Sequence, residues 1–504
     1  MLLYIAGALT VWLLYAATTK KKNLPPGPPG LPVVGNLFEL SIDLWVKCSE
    51  WKHTYGPLVY LNVAGQGILV INEHKAAVEL FERRSSIYSD RPRFIVGSEI
   101  LCGGLIFIFS CYGDFWRRMR RAAHEGIHNL ATSFQPVQEK ESVFLVHRLI
   151  ENPNKWSHEL ERTSASTILS VVYDLPLTKS FEDPTVVEIS AFTDKLVRVL
   201  YPGAYLVEFF TWMMLLPRSI AGWKRDVEDE HKRFSTHFRK LFDDVRARMR
   251  SGDERSSFCS TLIREKDRHG LNEDECSWLA ATAYAAGAET TTSALEWFIL
   301  AMAKYPDVQR KCQEELDAVV GRSRMPTFAD SPNLPYMNAC VREVLRWRTV
   351  APFGVPHQSN KDDFYRGYFI PKGTICISNI WFLNVDPEVY GPDAADFNPA
   401  RHLDSNGRLR HGIADTKDGH VSYGYGPRIC VGRRMATNSL FINISSMLWA
   451  LNVKPCPGDR ELSEEFIKGR LVLRPEPFNV DITPRFPDIP NIVEACRELS
   501  QGET

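Results

Sequence analysis

Residues 421 to 436 read VSYGYGPRICVGRRMA and set Cys430 among glycines, a proline and arginines, directly before an apolar stretch of helical composition. A thiolate placed there can ligate a metal, because backbone N–H groups at a turn and at a helix N-terminus stabilise its negative charge. Glycines at 424, 426 and 432 are expected to supply the positive-φ backbone that aims several N–H groups at one sulfur. Arg428 adds a cation able to bond the anionic edge of a cofactor. The chain has eleven cysteines, irregularly spaced and with no C-x-x-C pair. That pattern argues against a disulfide framework or a four-ligand zinc site and favours a reducing compartment.

Three further clusters have chemistry in their spacing. Glu343 and Arg346 lie three residues apart in NLPYMNACVREVLRWR (333–348), on one face of a segment apolar enough to be buried. Buried charges need partners, and Arg401 in FNPAR (397–401) is available to complete a triad, which reads as structural. Ala286-Gly287-Ala288-Glu289-Thr290-Thr291 interrupts an Ala-rich helix with a glycine, an acid and two β-branched hydroxyl residues. A threonine hydroxyl bonded back to a carbonyl can loosen one turn there and leave room for water. Trp116 and Arg120 are four residues apart, so an indole N–H and a guanidinium can reach one carboxylate.

Together these stretches resemble the cytochrome P-450 superfamily. The haem-binding pattern F-x-x-G-x-[RH]-x-C-x-G is matched at Gly426, Arg428, Cys430 and Gly432, with Tyr423 in place of the phenylalanine. E-x-x-R, then P-x-R, then the cysteine loop come in the family's order, with Ala400 replacing the usual glutamate of P-E-R. The resemblance implies haem b (iron protoporphyrin IX) with Cys430 as its axial thiolate. It implies that Thr290 holds a water chain delivering protons to the bound oxygen and that Glu289 feeds it from solvent. It also implies that Trp116 and Arg120 bond the haem propionates, with Arg91 and His357 as further donors. The layout is most similar to a eukaryotic, fungal, microsomal member.

The elements that must position these residues are mainly α with a minor β portion. PLVYLNVAGQGILVINE (57–73) reads as a hairpin turning at Gly65-Gln66-Gly67, and DDFYRGYFIPKGTICISN (362–379) looks similar. Asp274 to Lys304, 333–348 and the segment after Cys430 read as helices. Hydrophobic residues make up 44% of the 504, enough for a sizeable core. Ahead of this body, the uncharged residues 1–19 are expected to form a transmembrane helix of roughly 28 Å, near the ~30 Å of a bilayer core. Lys20, Lys21 and Lys22 keep the rest of the chain cytosolic. A basic, proline-rich linker (20–32) then leads into a catalytic domain spanning 33–504, the haem-thiolate fold.

The expected activity is a monooxygenase that inserts one oxygen atom from dioxygen into an apolar small molecule, whether steroid, terpenoid, fatty-acyl or aromatic. The thiolate favours O–O cleavage. The resemblance implies electrons from NADPH through a flavoprotein reductase; no G-x-G-x-x-G comes after a strand, so that reductase is expected to be a separate chain, for which Arg117, Arg121, Arg433 and Arg434 offer a basic face. Residues 92–112, 201–217, 284–286 and 350–355 are expected to flank the pocket, and EFFTWMMLLP (208–217) could instead touch a membrane. The implied location is the endoplasmic reticulum membrane, single-pass, in a secondary-metabolism role. A net charge of −1 gives no footprint for nucleic acid. The alternative is a haem-thiolate isomerase or dehydratase acting on a peroxide without reductase, which gains nothing from Glu289-Thr290. A non-enzymatic haem-binding scaffold is a second rival.

Overall fold

Acidic residues open the longest helix and a lysine closes it, as its dipole prefers. This central helix, Glu273–Lys304, starts at Asn272, whose side chain accepts from Glu275 N at 2.8 Å while the Glu275 carboxylate accepts from Asn272 N at 2.8 Å. The computed structural model describes residues 23–502 apart from 42, 179–182, 202, 254, 414, 415, 417 and 459–461. The expected span at 1–19 and the first residues of the linker lie outside the described residues, among which no helix is long and apolar enough to cross a membrane. The described elements are mainly helical with small β sheets.

They fall into two compact units. The smaller combines the chain up to Pro92 with 352–383 and 424–429; the larger takes 93–351, 384–423 and 430–504. In the smaller unit β1 (Leu58–Val63) and β2 (Gln66–Ile71) pair antiparallel. The turn falls at Ala64-Gly65, both at positive φ, one residue before the expected Gly65-Gln66-Gly67, because the primed turn that suits strand twist needs two such residues together. After β3 (His357–Gln358), β4 (Asp363–Tyr365) and β5 (Tyr368–Ile370) form a second hairpin. β6 (Ile375–Ser378) leaves it to run parallel to β2, giving the sheet order β1-β2-β6-β3.

In the larger unit the central helix packs on helix Trp156–Tyr173, where Gly287 is the point of close approach: a Cβ there would lie 2.7 Å from Ile168 Cδ1. Helix Pro335–Trp347 carries Glu343 and Arg346, and helix Arg433–Ala450 comes directly after Cys430. β7 (Leu451–Pro455) and β8 (Val480–Pro484) pair antiparallel behind it. Trp278, Trp297, Trp347 and Trp449 are fully buried and anchor this core.

Candidate active site

In the larger unit, Cys430 N donates to Tyr423 O at 2.8 Å, and the cysteine sulfur accepts backbone N–H bonds from Gly432 and Arg433 at the start of helix Arg433–Ala450. Arg120 and Arg433 add positive potential, yet burial outweighs all of these and raises the thiol. The Cys430 side chain is nevertheless accessible, so the sulfur faces a hollow inside the protein. The Tyr423 hydroxyl, the departure from the family's phenylalanine, is satisfied by Thr437 Oγ1 at 3.0 Å. Of the three glycines expected at positive φ, Gly424 and Gly426 sit at +75° and +54°, but Gly432 is at −83°. Gly432 caps the helix, and any residue could adopt its backbone; no atom lies within 4 Å of where its Cβ would stand.

The central helix is buried on both sides of its middle, but Ala286 is exposed and 287–290 are half-buried. Exposure there marks a hollow beside the helix. Ala285 and Ala288 border an apolar cluster that includes Trp116 and Met119 of helix Asp114–Ala123 and Met435, and that Val431 also borders. The expected loosened turn is not formed: the helix is continuous, with Thr290 Oγ1 donating to Ala286 O at 2.7 Å and Thr291 Oγ1 to Gly287 O at 2.8 Å. Back-bonding adds to the helical ladder here without breaking it. Glu289 turns away from this side, 3.9 Å from Arg470 Nη1, and burial raises its carboxyl. Tyr284, expected to flank the pocket, is buried beside Tyr173.

Arg120 is desolvated, which lowers its guanidinium, and among the described residues no hydrogen bond or ion pair reaches it. Trp116 is buried one turn earlier with its ring 4.9 Å from that of Tyr112. In the smaller unit, Arg91 donates from Nη1 to the carbonyls of Val355 and Pro356 at 2.6 and 2.7 Å. Burial and the neighbouring Arg428 depress it strongly, while Arg428 Nε donates to Ser89 O at 2.9 Å. His357 lies against both arginines, and its Nδ1 donates to Tyr88 O at 2.7 Å. Burial holds this ring neutral, so Nε2 is an acceptor; His357 can donate to a carboxylate only after taking up a proton.

The cytochrome P450 family profile matches residues 25–482. The chain belongs to the cytochrome P450 family. It is 50% identical to a cytochrome P450 monooxygenase of Armillaria gallica, covering 97% of this chain and 96% of that protein. Cytochrome P450 monooxygenase 58 of Postia placenta is 45% identical over 97% of this chain and 94% of its own, and cytochrome P450 monooxygenase iboC of Amanita muscaria 40% over 96% and 95%. The protein is therefore an oxidoreductase of the P450 monooxygenase kind, and family membership implies haem.

The residues present fit that group. In the larger unit a desolvated guanidinium at Arg120 has no anion among the described residues, and the cysteine is held where a metal cation would reverse its raised titration. The P450 charge triad is larger than its spacing suggested. Glu343 accepts from Arg346 Nε and Nη2 at 2.7 Å each and from Arg401 Nε at 3.0 Å, and His402 Nε2 adds a contact at 2.9 Å. Arg401 also pairs with Asp393 Oδ2 at 3.0 Å, which stands in for the charge that Ala400 lacks. Nothing in the sequence marked Asp393, and the only signal for His402 was its place directly after P-x-R.

Within the larger unit, the expected pocket-flanking stretches meet where Ile95 and Val96 reach Glu208. The short π-helical turn Ile95–Leu101 is clamped at both ends: the Glu208 carboxylate accepts from Ile95 N and Val96 N at 3.0 and 2.8 Å, and His231 Nδ1 donates to Leu101 O at 3.0 Å. An acid at the N-terminal end and a donor at the C-terminal end both match the helix dipole. Around Glu208, Leu206, Phe210, Trp212 and Leu215 are 61%, 52%, 62% and 87% exposed.

Proposed function

We propose that this P450 is a haem-thiolate monooxygenase that oxidises an apolar small molecule of the steroid, terpenoid, fatty-acyl or aromatic kind, with electrons from NADPH passing through a separate flavoprotein reductase. The observation that carries this reading is the Cys430 sulfur, accessible at depth and bonded by two backbone N–H groups at a helix start. Bound there, haem b supplies dioxygen activation, and a thiolate ligand favours O–O cleavage.

The chain's own residues do the rest. Arg120, Trp116, Arg91 and Arg428 would hold the propionates, with His357 joining once protonated. Thr290 has given its hydroxyl hydrogen to Ala286 O, so its oxygen presents lone pairs and orders water as an acceptor. Protons must then come from a neighbouring acid, and Glu289 is the adjacent residue. Ala286 and the apolar cluster around it exclude bulk water.

The basic residues support a reductase-docking face: Arg117, Arg121 and Arg434 are exposed, and Arg433 and Arg434 both act on His124 and His128, whose rings stack at 4.7 Å. The exposed apolar side chains at 206–215 support contact with a membrane, in keeping with an endoplasmic reticulum anchor, a cytosolic catalytic domain and a secondary-metabolism role. The test is a panel of apolar compounds incubated with NADPH and reductase-supplemented membranes. A gain of one oxygen atom, by mass, that needs both NADPH and reductase supports the reading. Turnover of a hydroperoxide alone would replace it with the isomerase.

A further inference from the structure

The loop 468–474 is fastened along the central helix. Ile467 N donates to Arg474 O at 2.9 Å and closes its base, while Gly469 at φ +80° turns the chain at its tip. Ser293 Oγ and Trp297 Nε1 both donate to Leu473 O, the latter at 3.0 Å. Arg474 is committed to Glu296 and Glu161, with Nε to Glu296 Oε2 at 2.7 Å and Nη1 to Glu161 Oε1 at 2.6 Å. Arg470 is left at the tip, 43% exposed, and among the described residues its one ion pair is with Glu289, at 3.9 Å.

Neighbours on a helix point about 100° apart. Thr290 and Glu289 therefore cannot face the same way, and the side of the helix that Glu289 takes is the one the loop covers. We propose that Arg470 is a positioning residue for proton delivery, holding the Glu289 carboxyl group at the solvent edge of the central helix so that protons enter on the loop side and leave on the Thr290 side. This rests on the Glu289–Thr290 role proposed above. The carboxylate takes one proton from solvent and returns to its charged form on passing it to water beside Thr290; no electrons move.

The charged groups facing Glu289 are Arg470 and Arg474 from the loop, Glu161 from helix Trp156–Tyr173 and Asp194 from helix Pro184–Leu200. The acids favour the protonated carboxyl and the arginines oppose them. Since Arg474 is bonded to two other carboxylates, Arg470 is the cation whose removal Glu289 feels most directly.

The test compares wild type, Arg470→Gln, Arg470→Lys and Glu289→Gln as holoenzymes. The protonated-carboxyl infrared band lost in Glu289→Gln is titrated, and hydrogen peroxide release with reductase and NADPH, without added substrate, is measured against pH. Arg470→Gln should raise the infrared midpoint by roughly half a pH unit, the low end for a partner that water screens. The peroxide profile should move upward with it, and Arg470→Lys should restore both. Midpoints and profiles unchanged by Arg470→Gln would overturn the proposal. An infrared shift with a peroxide profile indifferent to Glu289→Gln would overturn it too, by removing the proton role on which it rests.

Discussion

His402 Nε2 lies 2.9 Å from the Glu343 carboxylate, and both side chains are fully buried. The carboxylate is charged, so His402 donates from Nε2 and keeps its proton there; Nδ1 faces the Gly419 backbone, where a Cβ would come within 2.5 Å. A histidine so enclosed stays neutral in the fold, and burial lowers it. Glu343 is held far below the ordinary carboxylate range by Arg346 and His402.

These shifts fix the sign of the pH dependence. Glu343 contributes stability at neutral pH that is lost as pH falls below about 4, the unfolded carboxylate value. His402 and His128, the latter lowered to about 4, contribute stability that fades as pH falls below about 6.5, the unfolded histidine value. Urea melts between pH 7 and 5 should show stability falling, and His402→Leu should flatten that fall while costing ~1–3 kcal/mol at pH 7. A slope unchanged by the substitution would count against a neutral His402.

Glu343→Gln leaves Arg346 buried without its anion and should cost ~3–5 kcal/mol. Much of the segment 384–402 hangs on this pair, since Arg346 also donates to the carbonyls of Asn384, Ala394 and Asp396. Little soluble protein, with or without haem, is the expected expression result; near-normal yield and melting temperature would contradict it.

Gly426 and Gly432 should respond differently. At Gly426 a Cβ would lie 2.2 Å from Phe81 O on a backbone at φ +54°, so Gly426→Ala combines a left-handed cost of ~1–2 kcal/mol with overlap against backbone. It should lower the melting temperature of the haem-free protein. Gly432→Ala meets no atom and should leave that melt unchanged while lowering haem occupancy. Equal melts for the two would be the wrong outcome.

Arg120→Leu removes a desolvated guanidinium that no acceptor satisfies among the described residues. The haem-free protein should be unchanged or more stable, by up to about 2 kcal/mol, while haem dissociates faster. Calorimetry of the haem-free form and haem transfer to apomyoglobin measure the two halves. A destabilised haem-free protein with unaltered haem release would show that Arg120 serves the fold.

Glu208→Ala removes the cap on Ile95–Leu101 and should cost ~1 kcal/mol locally. Amide exchange at 95–101 should quicken several-fold, with little change in helix Arg433–Ala450. Uniform loss of protection across both segments would mean that the clamp is not local.

What the sequence revealed was whatever depends on neighbours along the chain. The nest around Cys430, the Glu343–Arg346 spacing, the central helix and the β1–β2 hairpin all rest on contacts within a few residues, where residue type constrains geometry. Tyr423 reads as a departure needing a partner; Thr437 supplies it from one turn into the next helix. The rest is non-local. His402 finds Glu343 across 59 positions and Arg470 finds Glu289 across 181, and no periodicity connects them. Gly432 misled because a glycine can serve open space as well as a positive φ.

The most direct measurement is the Soret spectrum of the reduced carbon monoxide complex, taken on the purified chain and on Cys430→Ser. Wild type should give the red-shifted band of thiolate ligation, and Cys430→Ser should lose it even where porphyrin is retained. The same band persisting without the Cys430 sulfur would contradict the assignment and the oxygen chemistry built on it.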